Sequence, residues 1–365
     1  MVSMKRHLRE YTTHLVRSLL FWTTALPLFA AFRYYGINYE LGVVIDQEAA
    51  RLYAMDNLFV SYAFVGALIG LFYATIEFWI DKYLNRHLPL ALTVLINAVL
   101  VSIAVISCSF LTFKIFSNIY DAPYDISLGW WYQDKSFWAH FLYIPFASLV
   151  FSLLVIVTDN YGTGLFWKIV LGHYKSPKEE NRIFMFLDMK DSTAIAEKIG
   201  HLKFSQLLQD CFYELNELAP LFKAEIYQYI GDEAVLTWPI QKSSSNQNCI
   251  KLFFEFQRKL ALRALYYQER YRVKPVFKAG IHAGIVTATE VGVIKKELAF
   301  HGDVVNTSAR IQGECNRYLE TLLISKELLT LLGAAKSYLT KYVGKVLLKG
   351  KNAEVEIFAV SHTDK

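Results

Sequence analysis

Two acidic residues of this sequence could together bind a divalent metal ion. Asp188 ends the apolar stretch RIFMFLD, and Asp232 lies in YQYIGDEAV, a pattern typical of a strand, a Gly-Asp turn and a second strand; Glu233 follows directly. Carboxylate oxygens are the ligands that Mg²⁺ and Mn²⁺ prefer. Such ions can polarise a phosphate and lower the pKa of an attacking hydroxyl. Taken alone, the same hairpin is also compatible with no chemistry at all.

Further polar residues occur at spacings that suit a nucleotide. Ser192 and Thr193 open a predicted helix, whose free backbone amides can receive phosphate oxygens, although a plain helix cap is the commoner use of such residues. Asn306 and Arg310 are four residues apart and so project from one face of another predicted helix. Lys349, in LLKGKN, could contact a polyphosphate, but this segment does not have the P-loop pattern.

The elements around these residues predict an α+β domain. Strands and helices alternate in the order β-α-β-β-α-β, with predicted ranges 182–188, 191–222, the hairpin 224–238, 246–272 and 275–282. This order matches the ferredoxin-like plan, in which the first strand lies beside the central hairpin. Asp188 and Asp232 are therefore expected to be neighbours. Irregular strands up to 302, a helix beginning near 304 and a final strand pair complete the domain.

The first half of the chain has the composition of a membrane protein. Overall, 54% of the residues are hydrophobic and 15% aromatic, and the net charge of +5 is scattered, which gives no reason to propose a nucleic-acid partner. About 20 apolar residues cross a bilayer. We predict an all-α transmembrane bundle over 1–160, with about four spans near 18–35, 57–80, 89–113 and 138–158. The first span requires Arg17 and Arg33 to snorkel toward the two interfaces.

Charge asymmetry predicts the orientation of this bundle. The N-terminal stretch, the connection DKYLNRHLP and the segment after the fourth span are basic, whereas the loops 36–56 and 114–137 are acidic. Basic loops favour the cytoplasmic side. The sequence therefore predicts a multi-pass protein of the cell (inner) membrane, with a cytoplasmic connector over 161–180 and a cytoplasmic catalytic domain over 181–362.

The motifs together resemble the catalytic domain of class III nucleotide cyclases. The resemblance covers about residues 181–360 and rests on FLDMKDST, YIGDEAV, GIHAG, FHGDVVNTSARI and LKGK. It implies a homodimer in which two domains pair head to tail and share their active sites. It also implies that Asp188 and Asp232 bind two Mg²⁺ or Mn²⁺ ions per site.

The resemblance further implies a role for each remaining motif residue. Asn306 would orient the ribose, Arg310 would stabilise charge on the α-phosphate, and Lys349 would bind the triphosphate. The reaction implied is attack of the ribose 3′ oxygen on the α-phosphorus, which converts ATP into 3′,5′-cyclic AMP and pyrophosphate.

Two positions depart from the pattern of adenylate cyclases. Such enzymes usually carry Lys at position 228 and Asp or Thr at position 299, where this chain has Gln228 and Ala299. The amide of Gln228 can hydrogen-bond adenine or, flipped, guanine. The absence of an acidic residue at 228 favours ATP. We expect a membrane-anchored adenylate cyclase; a guanylate cyclase and a catalytically dead cyclase-like receptor stay open, and a diguanylate cyclase would need glycine in place of Ile230.

Two histidines and two tyrosines near these motifs are interpreted as structural residues. His282 and His301 each lie close to a glycine at a strand end. Tyr227 and Tyr229 flank Gln228 with strand alternation and are expected to pack rather than to stack on a base.

Overall fold

The chain forms two compact units, which divide between Thr163 and Gly164. The computed structural model describes residues 2–37, 55–83, 92–93, 95–103, 107, 135–161, 168–240, 247–294, 296–333, 338–347 and 354–362. Each unit is described by itself below.

The described residues of the first unit form three long apolar helices. They are α1 (Val2–Ile37), α2 (Met55–Tyr83) and α3 (Lys135–Tyr161). Each includes a segment long and apolar enough to cross a membrane, at Tyr11–Phe32, Phe59–Ile80 and Trp138–Thr158. These segments correspond to three of the four predicted spans, and the first begins earlier than predicted. The predicted span 89–113 lies mostly outside the described residues.

Two glycines of α2 allow it to approach α1 closely. A Cβ atom on Gly66 would overlap the carbonyl group of Trp22, and one on Gly70 would lie 3.1 Å from the Cα atom of Leu19. Small residues four apart permit such contact between the backbones of membrane helices. The core beside this contact is aromatic, because Trp22 and Tyr73 are buried with their ring centroids 5.9 Å apart.

The part of the second unit that the structure describes contains one eight-stranded sheet. Its strands are β1 (Lys178–Met189), β2 (Glu225–Ile230), β3 (Glu233–Pro239), β4 (Phe277–Val291), β5 (Glu297–His301), β6 (Leu322–Ser325), β7 (Tyr338–Val346) and β8 (Val355–His362). The order across the sheet is β2-β3-β1-β4-β6-β8-β7, and β5 pairs with β4. Only β4 and β6 pair in parallel among these strands.

Helices lie between the strands of this unit along the chain. They are α4 (Ser192–Ile199), α5 (His201–Leu218), a 3₁₀ turn (Ala219–Phe222), α6 (Asn248–Leu262), α7 (Ala264–Tyr271), α8 (Asp303–Tyr318) and α9 (Lys326–Leu332).

The predicted fold class is confirmed: an α+β domain with the ferredoxin-like strand order β2-β3-β1-β4 follows a unit of long apolar helices. Four details differ from the prediction. The helix predicted over 191–222 is interrupted at Gly200, whose φ of +82° no longer suits a helix. The helix predicted over 246–272 breaks at Arg263. Strand β6 was absent from the prediction, and β4 continues past position 282 to Val291.

Strand β1 divides its side chains between the two faces of the sheet. Ile183, Met185 and Leu187 are buried in the larger core, which α5 and α6 cover. Phe184 and Phe186 point to the opposite face and pack in a second cluster with residues of β3, β4, β5 and α8. Because side chains alternate along a strand, Asp188 lies at the end of this second face.

Helix α8 packs directly on β4 at Gly280. A Cβ atom there would lie 2.6 Å from the carbonyl oxygen of Ser308 and closer still to the backbone nitrogen of Gln312. Real side chains do not tolerate such approaches, so only glycine fits between the strand and the helix. This contact fixes how far α8 stands from the sheet.

We predict that Gly280→Ala destabilises the second unit by about 1–3 kcal/mol, because the added methyl group must push α8 off the sheet. The free energy of unfolding would be measured on the full chain by pulse proteolysis in urea. The control is Gly313→Ala in α8, where a Cβ atom meets nothing within 4 Å. Alanine there should leave stability unchanged or raise it by up to about 1 kcal/mol. Equal stability of both variants would contradict the prediction.

Candidate active site

The two acidic residues singled out in the sequence lie together at one end of the sheet. In the register of the sheet, Asp188 pairs with Glu233 of β3 on one side and with Lys278 of β4 on the other. Asp232 and Gly231 form the two-residue turn between β2 and β3, where Gly231 has a φ of +62° that suits glycine. Asp232 is close enough to Asp188 to affect the pKa of its carboxyl group.

These carboxylates place excess negative charge at a partly buried site. Burial, together with the adjacent Asp232, raises the pKa of Asp188 above its ordinary value. Burial and the charges of Asp188 and Asp232 raise the pKa of Glu233 to about 7, although Lys278 acts in the opposite direction. The Lys278 ammonium lies 3.2 Å from Asp188 Oδ2 and compensates only part of this charge.

The donor set suits a hard divalent cation. Carboxylate oxygens without nitrogen or sulfur ligands favour Mg²⁺ or Mn²⁺ over zinc. Among the described residues, no group of three or more His, Cys, Asp and Glu side chains could hold a metal ion by itself. Mg²⁺ commonly binds one or two carboxylates and completes its shell with water and substrate phosphates. The pair Asp188 and Asp232 therefore fits a metal site that a nucleotide completes.

Gln312 holds the carboxylate of Asp188 in place. Its Nε2 donates a hydrogen bond of 2.8 Å to Asp188 Oδ2, and its backbone is the part of α8 that lies against Gly280. Neither Gln312 nor Lys278 was identified from the sequence. Its spacing of four from Ser308 puts both residues on one side of α8, but only the structure shows that this side is buried against the sheet.

Asn306 and Arg310 lie on the same helix but not on the side of Asp188. Arg310 is two residues from Gln312, which corresponds to a rotation of about 200° around the helix axis. Asn306, one turn earlier, is exposed, and Arg310 is half-buried. The fold thus brings Asp188 and Asp232 together and directs Asn306 and Arg310 away from the carboxylates of their own chain.

Helix α4 begins at Ser192, as predicted from the sequence, and follows β1 directly. Its N-cap residue Asp191 has a φ of 58°, and no side chain makes a capping hydrogen bond in this part of the structure. Ser192 is half-buried and Thr193 is exposed. The amides at the start of α4 are therefore near the end of β1 and without a capping side chain.

The hairpin turn sets the sheet face on which Gln228 lies. From the turn, Ile230 pairs with Glu233, Tyr229 with Ala234 and Gln228 with Val235, a residue of the sheet face that carries Asp188. The register shifts between Ile226 and Gln228, so the extra residue Tyr227 packs on the same face as Gln228. Gln228 is exposed there, while Tyr227 packs against the ring of Phe300 at a centroid distance of 5.1 Å.

The remaining residues discussed from the sequence occupy different surroundings. His282 is buried, with its Nδ1 2.7 Å from Ser325 Oγ. Tyr229 donates a hydrogen bond of 2.8 Å to Asn216, away from the carboxylates. His301 is exposed at the end of β5, and Ala299 pairs with Thr289 of β4. Lys349 lies outside the described residues.

Comparison with known proteins identifies the family. The profile of the adenylate and guanylate cyclase catalytic domain matches residues 174–362, so the chain belongs to this family. It is similar to Adenylate cyclase 2 of Rhizobium meliloti (strain 1021), with 30% identity over 205 residues that make up 56% of this chain and 56% of that protein. It is also similar to the receptor-type guanylate cyclase gcy-6 of Caenorhabditis elegans, with 24% identity over 50% of this chain and 17% of that receptor.

A solved structure shares the fold. The structure of a bacterial light-regulated adenylyl cyclase superimposes with a TM-score of 0.53 at 14% identity, over 62% of this chain and 66% of that chain. The resemblance predicted from the motifs is thereby confirmed at the level of family and fold. The chain spans little more than half of the rhizobial relative and less than a fifth of the nematode receptor.

We predict that Asp188→Asn and Asp232→Asn each weaken Mn²⁺ binding by at least about tenfold, because each removes a charged oxygen ligand. Binding of Mn²⁺ alone to the full chain would be measured by electron paramagnetic resonance. Glu197→Gln, which changes an exposed acid of α4, is the matched control and should leave binding unchanged. Wild-type affinity in both aspartate variants would exclude this metal site.

Proposed function

We propose that this protein is a membrane-anchored adenylate cyclase that converts ATP into 3′,5′-cyclic AMP and pyrophosphate as a homodimer. The observation that carries the proposal is that Asp188, at the end of β1, lies beside Asp232, in the turn between β2 and β3, in a chain of the cyclase family. The rhizobial relative, which is an adenylate cyclase by name, supports ATP as the substrate.

Asp188 and Asp232 would hold Mg²⁺ or Mn²⁺, with two ions per site. When bound, these ions would lower the pKa of the ribose 3′-hydroxyl and neutralise phosphate charge. Gln312 keeps the carboxylate of Asp188 oriented through its hydrogen bond of 2.8 Å. The amides at Ser192 and Thr193 receive phosphate oxygens at the positive end of α4. Lys349 binds the triphosphate in this proposal.

The two sides of α8 support the proposed homodimer. The side chains of Asn306 and Arg310 extend from α8 away from Asp188 of their own chain. They can act in an active site only if another chain provides the metal ligands of that site. A head-to-tail pair of identical subunits satisfies this requirement twice. In each site, Arg310 stabilises the charge that develops at the α-phosphate, and Asn306 orients the ribose.

The base would be selected by Gln228. The pairing of Gln228 with Val235 puts this exposed amide on the sheet face of Asp188, where it can pair with the N6 and N1 edge of adenine. Ala299 offers no hydrogen-bonding side chain. Selection of the base therefore depends on a single amide group.

The helices of the first unit would anchor the enzyme. Among the described residues, three helices are long and apolar enough to span a bilayer. The basic N-terminus and the basic segment around Lys168, Lys175 and Lys178 favour the cytoplasmic side. We accordingly place the protein in the cell (inner) membrane, with its catalytic unit in the cytoplasm, where ATP is available.

The proposed activity is tested by turnover of ATP and of GTP, each with Mg²⁺ and with Mn²⁺, using the full chain in nanodiscs. Cyclic AMP formation that disappears in Asp232→Ala would support the proposal. Preferential turnover of GTP would identify a guanylate cyclase instead. Absence of both cyclic products from a folded dimer would identify a cyclase-like receptor without catalytic activity.

We predict that Arg310→Ala lowers kcat by about 10²-fold or more, with a smaller effect on KM, because its charge acts mainly in the transition state. Steady-state kinetics with ATP would measure both constants. Arg317→Ala is the matched control, since Arg317 lies on the same helix and pairs at 3.2 Å with Glu314 on its exposed side. A kcat for Arg310→Ala equal to that of the control would remove its assigned role.

Co-expression of two inactive variants tests the shared site. Asp232→Ala and Arg310→Ala lesions would fall in the same site of a mixed dimer, which leaves its other site intact. Random pairing should then restore roughly a quarter of wild-type activity. Activity no higher than that of the separate variants would contradict sharing.

We predict that Gln228→Glu lowers the ratio of kcat/KM for ATP over GTP by at least about tenfold, because a carboxylate accepts from the guanine edge and cannot donate to adenine N1. Competition between the two nucleotides would measure this ratio. Gln268→Glu, at an exposed position of α7, is the control for the added charge. An unaltered ratio in Gln228→Glu would assign base selection to other residues.

A further inference from the structure

Arg182 is a buried cation on the sheet face that carries Asp188. Only 1% of its side chain is exposed. Its Nε donates a hydrogen bond of 2.7 Å to Glu180 Oε2, and its Nη1 donates one of 2.6 Å to Glu225 Oε2. A buried charge must be paired in this way, and the planar guanidinium can satisfy two carboxylates at fixed angles. Arg182 thereby ties β1 to the first residue of β2.

The same guanidinium also contacts β5. It lies 4.7 Å from the ring centroid of Phe300, within the range of a cation–π interaction. The ring of Phe300 packs edge-on against Tyr227, and the Phe300 amide donates a hydrogen bond of 3.5 Å to the Tyr227 hydroxyl. Arg182 therefore reaches β2 twice, through Glu225 and through Phe300 to Tyr227. Gln228 directly follows Tyr227.

Tyr174 brings the segment before β1 into the same network. Its side chain is fully buried, and its hydroxyl donates a hydrogen bond of 2.8 Å to Glu180 Oε1. Its carbonyl oxygen accepts from the amide of Glu290 in β4 at 3.0 Å. The Tyr174 hydroxyl and the Arg182 guanidinium thus bond the same carboxylate, that of Glu180. Through Tyr174, residues 168–177 are attached to the sheet.

Near neutral pH, the protonation states of Glu180 and Tyr174 preserve the hydrogen bonds of this network. Burial disfavours the charge on Glu180, but hydrogen bonds from Arg182 and Tyr174 outweigh it, so the pKa of Glu180 lies below its ordinary value. Burial and the bond to Glu180 raise the pKa of Tyr174. The carboxylate stays charged and the phenol stays a donor. Such a network adds little stability compared with apolar packing, but its directional bonds fix positions.

We propose that Arg182 is a positioning residue that sets where β2 presents Gln228 to the nucleotide base, and that Tyr174 makes this position depend on residues 168–177. The proposal rests on the proposed function, since it takes the ligand to be a nucleoside triphosphate. In this proposal, Arg182, Glu225, Phe300 and Tyr174 affect how the base binds, through the position of β2. They do not contact the phosphates.

The test uses Glu225→Gln and Tyr174→Phe in the full chain, because each removes one bond of the network and keeps the size of the side chain. We expect the Kd for a nonhydrolysable ATP analogue and the KM for ATP to rise about fivefold in each variant, with kcat changed less than about twofold. The ratio of kcat/KM for ATP over GTP should fall as well, because the position of Gln228 is less well defined.

Two control variants remove similar bonds elsewhere in the same unit. Glu255→Gln breaks an Arg–Glu pair of the same length, 2.6 Å, at an exposure of 38% against 43% for Glu225. Tyr271→Phe removes a buried hydroxyl that donates to Asp210 at 2.7 Å. Both controls should keep the wild-type Kd and KM, while thermal unfolding reports any loss of stability in all four variants.

Three results would overturn the proposal: unchanged Kd and KM in both network variants, a fall in kcat alone, or equal changes in the controls. If Glu225→Gln fails to fold, Tyr174→Phe decides, since it removes only an oxygen atom. Failure of the proposed function is distinguishable. A wild-type chain that binds the analogue without forming cyclic AMP would refute the cyclase activity, and the Kd values would still decide the role of Arg182.

Discussion

The two-residue alternation of β1 is the constraint on which the whole site depends. Arg182, Phe184, Phe186 and Asp188 share one face of this strand because their numbers differ by two. The strand lies between β3 and β4, so its register decides which side chains they meet. A slip of one residue would turn Asp188 toward the core under α5 and α6 and would expose Leu187 in its place. The large apolar residues of the other face make that slip unfavourable, and in this way the core specifies the position of a polar site.

Repulsion between carboxylates shapes the surroundings of the site. Burial and mutual repulsion raise the pKa values of Asp188 and Glu233, so the strand ends favour any cation that can approach. Lys278 provides one charge, and Gln312 provides a hydrogen bond without a charge. Because Gln312 belongs to the stretch of α8 that lies on Gly280, the orientation of the Asp188 carboxylate and the packing of the helix on the sheet depend on the same contact. The opposite side of α8 carries Asn306 and Arg310, so their position follows from the same contact.

Much of this arrangement could be predicted from sequence because it follows from local patterns. The apolar run RIFMFLD and the Gly-Asp turn predict two strands, and the order of elements predicts their adjacency. The beginning of α4 at Ser192 is likewise a local signal. Lys278 and Gln312 could not be predicted, since their contacts with Asp188 depend on the register of β1 with β4 and on the rotation of α8. The Arg182 network could not be predicted for the same reason, because Glu225 and Phe300 are distant from Arg182 in sequence and contact it only in the folded sheet. The roles of Asn306, Arg310 and Lys349, and the span 89–113, remain predictions.

The bulge between Ile226 and Gln228 has a consequence for evolutionary comparison within the family. Equivalent residues in two strands are usually assigned by counting, and the count is reliable only while both strands keep the same number of residues per ladder pair. Counting back from Gly231 reaches Gln228 before the bulge, so this equivalence holds in any relative that keeps the hairpin turn. Counting forward from Glu225 crosses the extra residue, and in a relative with a regular β2 it would match Gln228 with a side chain of the other face. Loss of the bulge at unchanged chain length would therefore move Glu225 and Ile226 to the opposite faces of the sheet, without any substitution at either position, and would leave Gln228 on the face of Asp188.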